Sequence, residues 1–140
     1  MNARLLFPLF ALLPLISMAS DSIPTPASDG ARVRIISPAD GDELDGPVTV
    51  VFGLAGMGVA PAGVEKAGTG HHHLIIDAPL PPMGKPIPSD EHYRHFGGGQ
   101  TQVTLELEPG DHTLQLLLGD QNHIPHEPPV YSEVVTIHVR

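Results

Sequence analysis

From Arg32 onward the apolar residues recur at every second position in short runs, and no stretch carries the three-to-four-residue spacing of an amphipathic helix. Sixteen prolines and fifteen glycines, gathered largely between the runs, break anything longer. Such a chain is confined to an all-β fold. Strands are expected over 32–35, 48–52, 71–77, 101–107, 112–118 and 133–139, with a short seventh inside the proline-rich 78–88. In phase along these runs stand Val33 and Ile35, Val48, Val50 and Phe52, Leu74 and Ile76, Val103, Leu105 and Leu107, Leu114, Leu116 and Leu118, and Val135, Ile137 and Val139. They are enough to line the inner faces of two stacked sheets. The expected architecture is an immunoglobulin-like β-sandwich of about seven strands, with long loops over 54–70 and 78–100.

The sandwich is expected to occupy 32–140. Ahead of it, residues 1–19 read as a signal peptide: Arg4, then an apolar run from Leu5 to Ile16, then Ser17-Met18-Ala19 as a small-x-small cleavage site. The run is too short and too proline-broken to span a bilayer, so no membrane span is expected in the mature form. Residues 20–31, polar and proline-bearing, read as a disordered spacer. A periplasmic or secreted location follows. Loss of Arg4 with the leader leaves six basic against sixteen acidic residues, a charge of about −10, which excludes nucleic acid as a natural partner. The chain has no cysteine, so thiolate chemistry is closed to it. Any metal site must be built from His, Met and carboxylate.

Histidine is abundant, and eight of the nine lie between His71 and His126. Alternate residues of a strand share a face, which puts His71 and His73 roughly 6.5–7 Å apart as a chelating pair and turns His72 toward Leu74 and Ile76, as a capped residue at the core edge. In an immunoglobulin-like order, the start of this strand and the loop 119–129 emerge at one end. His123 and His126 then approach the pair, and His95, just before the next strand, belongs to that end as well. The expected metal ligands are therefore His71, His73, His95, His123 and His126, a set suited to Cu or Zn, with Asp77 and Asp120 available to orient the rings. Met57 and Met83 could add thioethers suited to Cu(I). His92 and His138 are expected to be solvated. His112 follows Pro109-Gly110-Asp111 at the opposite end, where it is expected to bond back to the corner backbone.

Other chemistry finds no support. The run His95-Phe96-Gly97-Gly98-Gly99-Gln100-Thr101 precedes a strand rather than a helix and lacks the Lys-Ser/Thr ending of a phosphate loop. No nucleophile elbow occurs, and neither Ser89 nor Ser132 has the setting of a nucleophile.

The blocks Gly70-His71-His72-His73-Leu74-Ile75-Ile76-Asp77, His95-Phe96-Gly97-Gly98-Gly99-Gln100-Thr101, Pro109-Gly110-Asp111-His112-Thr113-Leu114-Gln115-Leu116 and Gly119-Asp120-Gln121-Asn122-His123-Ile124-Pro125-His126 together resemble a bacterial family of small exported domains of unknown function. The resemblance implies an exported sandwich-like domain and carries no activity. Two functions remain open at this point. One is a periplasmic domain that binds Cu or Zn for delivery or buffering, with another envelope protein as a partner. The other is an envelope module that binds a protein or glycan through its long loops without metal. Delivery or buffering is favoured over catalysis: a third class, a metal-dependent oxidase or dismutase-like enzyme, would require an open coordination position and redox turnover, and the sequence shows neither.

Overall fold

The computed structural model describes residues 23–140, so the leader expected over 1–19 and the first residues of the spacer lie outside the described residues. Nine strands form two sheets among them. In the smaller sheet, β1 (Arg32–Ser37) and β7 (Gln102–Leu105) pair antiparallel on either side of β3 (Val48–Ala55). The larger sheet runs β2 (Glu43–Leu44), β9 (Val135–Val139), β8 (Gly110–Gly119), β5 (Thr69–Ile76), β4 (Gly58–Val59), and β6 (Tyr93–His95) also pairs with β5. This is an all-β sandwich compatible with an immunoglobulin-like order. No helix among the described residues is long and apolar enough to cross a membrane.

The period-two residues do what their spacing requires. Val48, Val50 and Phe52 from one sheet meet Leu74, Ile76, Leu114, Leu116, Leu118, Ile137 and Val139 from the other in one buried core. Ile35, Val103, Leu107 and Val135, also expected inward, pack against it while only partly buried. Burial of each large apolar side chain contributes roughly 1.5–3 kcal/mol, so this core is the main source of stability.

β5 departs from the one-face-wet pattern: from Gly70 to Ile76 every residue is buried. Its second face carries His71, His73 and Ile75. Ile75, Leu117 and Ile87 form a smaller cluster there, flanked by Ala78, Leu80 and Tyr93. The 78–92 segment therefore lies down on the outer face of the larger sheet. No strand forms over 78–88, because Pro79, Pro81, Pro82, Pro86 and Pro88 have no amide hydrogen to give a ladder. The added strand is β6, set up by Asp90, whose Oδ1 accepts from the amides of His92 and Tyr93.

The expected spacer is corrected over its second half. Ala27 donates to the Glu127 carbonyl and Glu127 to that of Thr25, both at 3.0 Å, while the Thr25 hydroxyl donates to Asp120 Oδ2 at 3.2 Å. The loop after β8 has backbone groups without a ladder partner, and this segment satisfies them.

Candidate metal centre

His71 and His73 project from the outer face of β5, 0% and 1% exposed. His95 is directly opposite His73 in the β5–β6 ladder. The bonds from the Ile76 amide to His92 and from the Phe96 amide to His72 make that pair a non-hydrogen-bonded one, the closer of the two antiparallel spacings. The two rings accordingly stack, with centroids 5.1 Å apart and planes 18° from parallel. His123 arrives from the turn after β8 with φ at 63°, a left-handed conformation few non-glycine residues adopt.

Asp120 forces that turn. Its buried carboxylate accepts from the amides of Asn122 and Ile124 at 2.8 and 3.0 Å, and its carbonyl accepts from His123. The His123 ring is thereby carried to within 3.1 Å of His71, Nδ1 to Nε2. One ligand nitrogen from each of His71, His73, His95 and His123 can be chosen so that all four lie within 4.8 Å of one another. Tetrahedral bonds of about 2.0–2.1 Å separate nitrogens by roughly 3.3 Å, so side-chain movements of at most about 1.5 Å would close the four on a single ion.

Electrostatics prepare the rings as ligands. Burial pushes His73 down to about 2, helped by the neighbouring His71, His95 and His123. His71 falls to about 4 through burial and through His123 and His95, with Asp120 opposing. Burial first, then His123, also lowers His95. Neutral imidazole is the form that binds metal, so no proton need be displaced from these three at neutral pH. Nδ1 of His71 and Nδ1 of His73 are buried without a hydrogen-bond partner among the described residues. Buried polar atoms are rarely left so, and a cation held among these rings could supply a missing partner.

Two glycines make the room. A Cβ on Gly119 would lie 2.6 Å from His73 Cε1 and 3.0 Å from its Nδ1; one on Gly97 would lie 2.4 Å from His95 Nε2. Gly119→Ala is expected to lower stability by about 1–3 kcal/mol and to displace His73, which is buried. Gly97→Ala should cost much less, since His95 is exposed and can swing outward. Denaturant unfolding of the two variants side by side checks the difference.

Several sequence expectations are corrected. His126 does not join the four. It faces the other side of β5, with Nε2 donating to the Thr69 carbonyl at 3.1 Å and Cε1 2.8 Å from where a Gly70 Cβ would stand. Asp77 cannot orient these rings because it is taken at the far end of the strand. There His112 donates through Nδ1 to Asp77 at 2.7 Å and through Nε2 to the Glu108 carbonyl at 2.8 Å. Burial opposes charge on His112, but those two bonds and the charges of Asp77 and Asp111 outweigh it and raise its pKa. His112 thus fills the corner role expected of it.

Asp120 makes its hydrogen bonds to backbone amides and to Thr25, and so sets the turn rather than an imidazole. His72 is more deeply placed than a capped edge residue. It lies against Phe52 in the core, both its nitrogens lack hydrogen-bond partners, and burial lowers it to about 4 while the Gln100 backbone opposes from beyond bonding geometry. Met57 packs against the inter-sheet core and Met83 is partly exposed. His92 is exposed but bonds the Ile76 carbonyl at 2.9 Å, and exposed His138 pairs with Asp111.

The residues that sequence reading missed are Gly97, Gly119 and Asp120 in its turn-setting role. Gly97 was visible as part of a glycine run, but nothing in that run says that a ring lies over it.

The chain belongs to the family described as a domain of unknown function (DUF4399), whose family model matches residues 50–140. The matched span takes in all four histidines. No curated protein and no solved structure matches the chain significantly.

Proposed function

We propose that this protein is an exported domain that holds a transition metal, Cu or Zn, for delivery or buffering in the cell envelope. The observation that carries the reading is the convergence of four imidazoles, from β5, β6 and the β8–β9 turn, within 4.8 Å. A ligand set of neutral nitrogens alone suits Cu and Zn and disfavours Mg²⁺ and Ca²⁺, which require oxygen. Export rests on the reading of the first nineteen residues. The long 78–92 segment packs onto the sheet through Ala78, Leu80 and Ile87 instead of standing free, which favours the metal reading over a loop-borne binding surface.

Metal bound only by the folded state stabilises it in proportion to RT ln(1 + [M]/Kd), about 2.7 kcal/mol at a hundredfold excess over Kd. Untagged protein from the periplasm is expected to contain one Cu or Zn per chain by elemental analysis. The metal-free protein should show a higher Tm on addition of that ion, and His73→Ala should lose both effects. An unmoved Tm with Cu²⁺, Cu(I) and Zn²⁺, each in excess over protein, would remove the reading.

A further inference from the structure

The four ligands are unequal, and the inequality has a direction. His71 and His73 belong to a strand hydrogen-bonded to β8 across six residue pairs from His71 to Ile76, and both are sealed from solvent. His95 belongs to a three-residue edge strand and is exposed. As a member of a non-hydrogen-bonded pair with His73, its own N–H and C=O turn away from β5, toward the free edge. Its ring rests over Gly97, which offers no side chain to hold it. His123 is intermediate in burial, but its turn is locked by the buried Asp120, and its ring is bonded to His71.

We propose that metal enters and leaves this site past His95, which acts as the exchangeable ligand, while His71, His73 and His123 retain the ion until an incoming nitrogen or sulfur donor has bound it. This inference rests on the metal-binding reading and specifies how such a site releases its ion. The acceptor it implies presents its own His, Cys or Met donor at the β6 edge. The exchange is a ligand substitution: one metal–nitrogen bond to His95 breaks as one metal–donor bond to the acceptor forms, with no change in oxidation state.

The test uses protein loaded with one Zn²⁺ and follows transfer to 4-(2-pyridylazo)resorcinol by stopped-flow absorbance. The expected rate for the unaltered protein rises in proportion to chelator concentration, as attack by the acceptor requires. A rate independent of chelator would mean spontaneous dissociation and would overturn the proposal. His95→Ala is expected to keep one Zn²⁺ per chain and to transfer it at least tenfold faster. Added imidazole should restore slow transfer by occupying the position His95 leaves, an effect that a merely structural role for His95 would not give.

His123→Ala should accelerate transfer less than His95→Ala; equal or greater acceleration would make His123 the exit ligand instead. Loss of stoichiometric Zn²⁺ from both His95→Ala and His95→Gln would show that His95 is a retained ligand and would also overturn the proposal. If the unaltered protein takes up no Zn²⁺, Cu²⁺ or Cu(I), the metal reading fails and this inference with it. Uptake with the wrong kinetics defeats this inference alone.

Discussion

Freed of metal, the domain is expected to unfold in a cooperative transition centred between about pH 5 and 4. His71, His72 and His73 titrate near 6.5 in an unfolded chain and at about 4, 4 and 2 in the folded one. Below pH 6.5 the unfolded state therefore binds more protons than the folded state, and stability falls as pH falls. His71 and His72 lose their contribution between about pH 6.5 and 4; His73 continues to lose below that. Where all three differ, the slope is three protons, or about 4 kcal/mol per pH unit.

A domain of this size has roughly 5–15 kcal/mol of stability in total, so a drop of this steepness consumes most of it by about pH 4. His112 has the opposite sign. Its raised pKa adds stability below its folded value and loses it as pH rises, but it is one group near the surface, screened by water, set against three in the interior. Metal at a hundredfold excess over Kd adds about 2.7 kcal/mol, which at this slope moves the acid midpoint down by about 0.7 pH unit. Far-UV circular dichroism against pH, with and without metal, measures both numbers. A metal-free protein still folded at pH 3.5 would contradict the burial argument.

The strands were legible in the sequence because alternation is a local property: every residue expected inward touches the inter-sheet core. His71 and His73 were legible for the same reason, since a period of two puts them on one face wherever the strand lies. The face itself was not legible. β5 is buried on both sides, and only the packing of 78–92 onto Ile75 and Leu117 decides that the histidines lie beneath a covering segment rather than at an open end. The direction of the following strand brings His95 to this end of the sheet, but it is β6, a three-residue element held by an aspartate turn, that puts it opposite His73. The side of β5 taken by His126 was not legible, because proximity in a loop does not fix which side of a strand a ring falls on. That depended on Gly70, whose missing side chain leaves the space His126 fills.

Replacing His73 by Leu, a side chain of similar volume, is expected to make the metal-free protein more stable while abolishing metal uptake. The native imidazole is 1% exposed, and its Nδ1 is fully buried without a hydrogen-bond partner. Removal of such an unsatisfied group recovers about 1–3 kcal/mol at neutral pH. At pH 5 the protonation penalty also disappears, worth a further 2 kcal/mol or about that for a group that would otherwise take up its proton near 6.5 on unfolding. The gain at pH 5 should therefore exceed the gain at pH 7, a pattern that better packing alone would not produce.

His72→Leu supplies the comparison. His72 is equally buried and has both nitrogens unpaired, but it faces Phe52 on the core side of the same strand. It should show a similar pH-dependent gain with stoichiometric metal uptake intact. Urea titrations at pH 7 and pH 5, paired with metal content, separate the two positions. If His73→Leu were destabilising at both pH values, the native ring would be contributing packing that outweighs its unsatisfied nitrogen. If His72→Leu also lost metal, the inner face of β5 would belong to the site. With stability gained at both positions and metal lost at only one, the two faces of β5 would be separated by function: His73 would belong to the metal site and His72 would not.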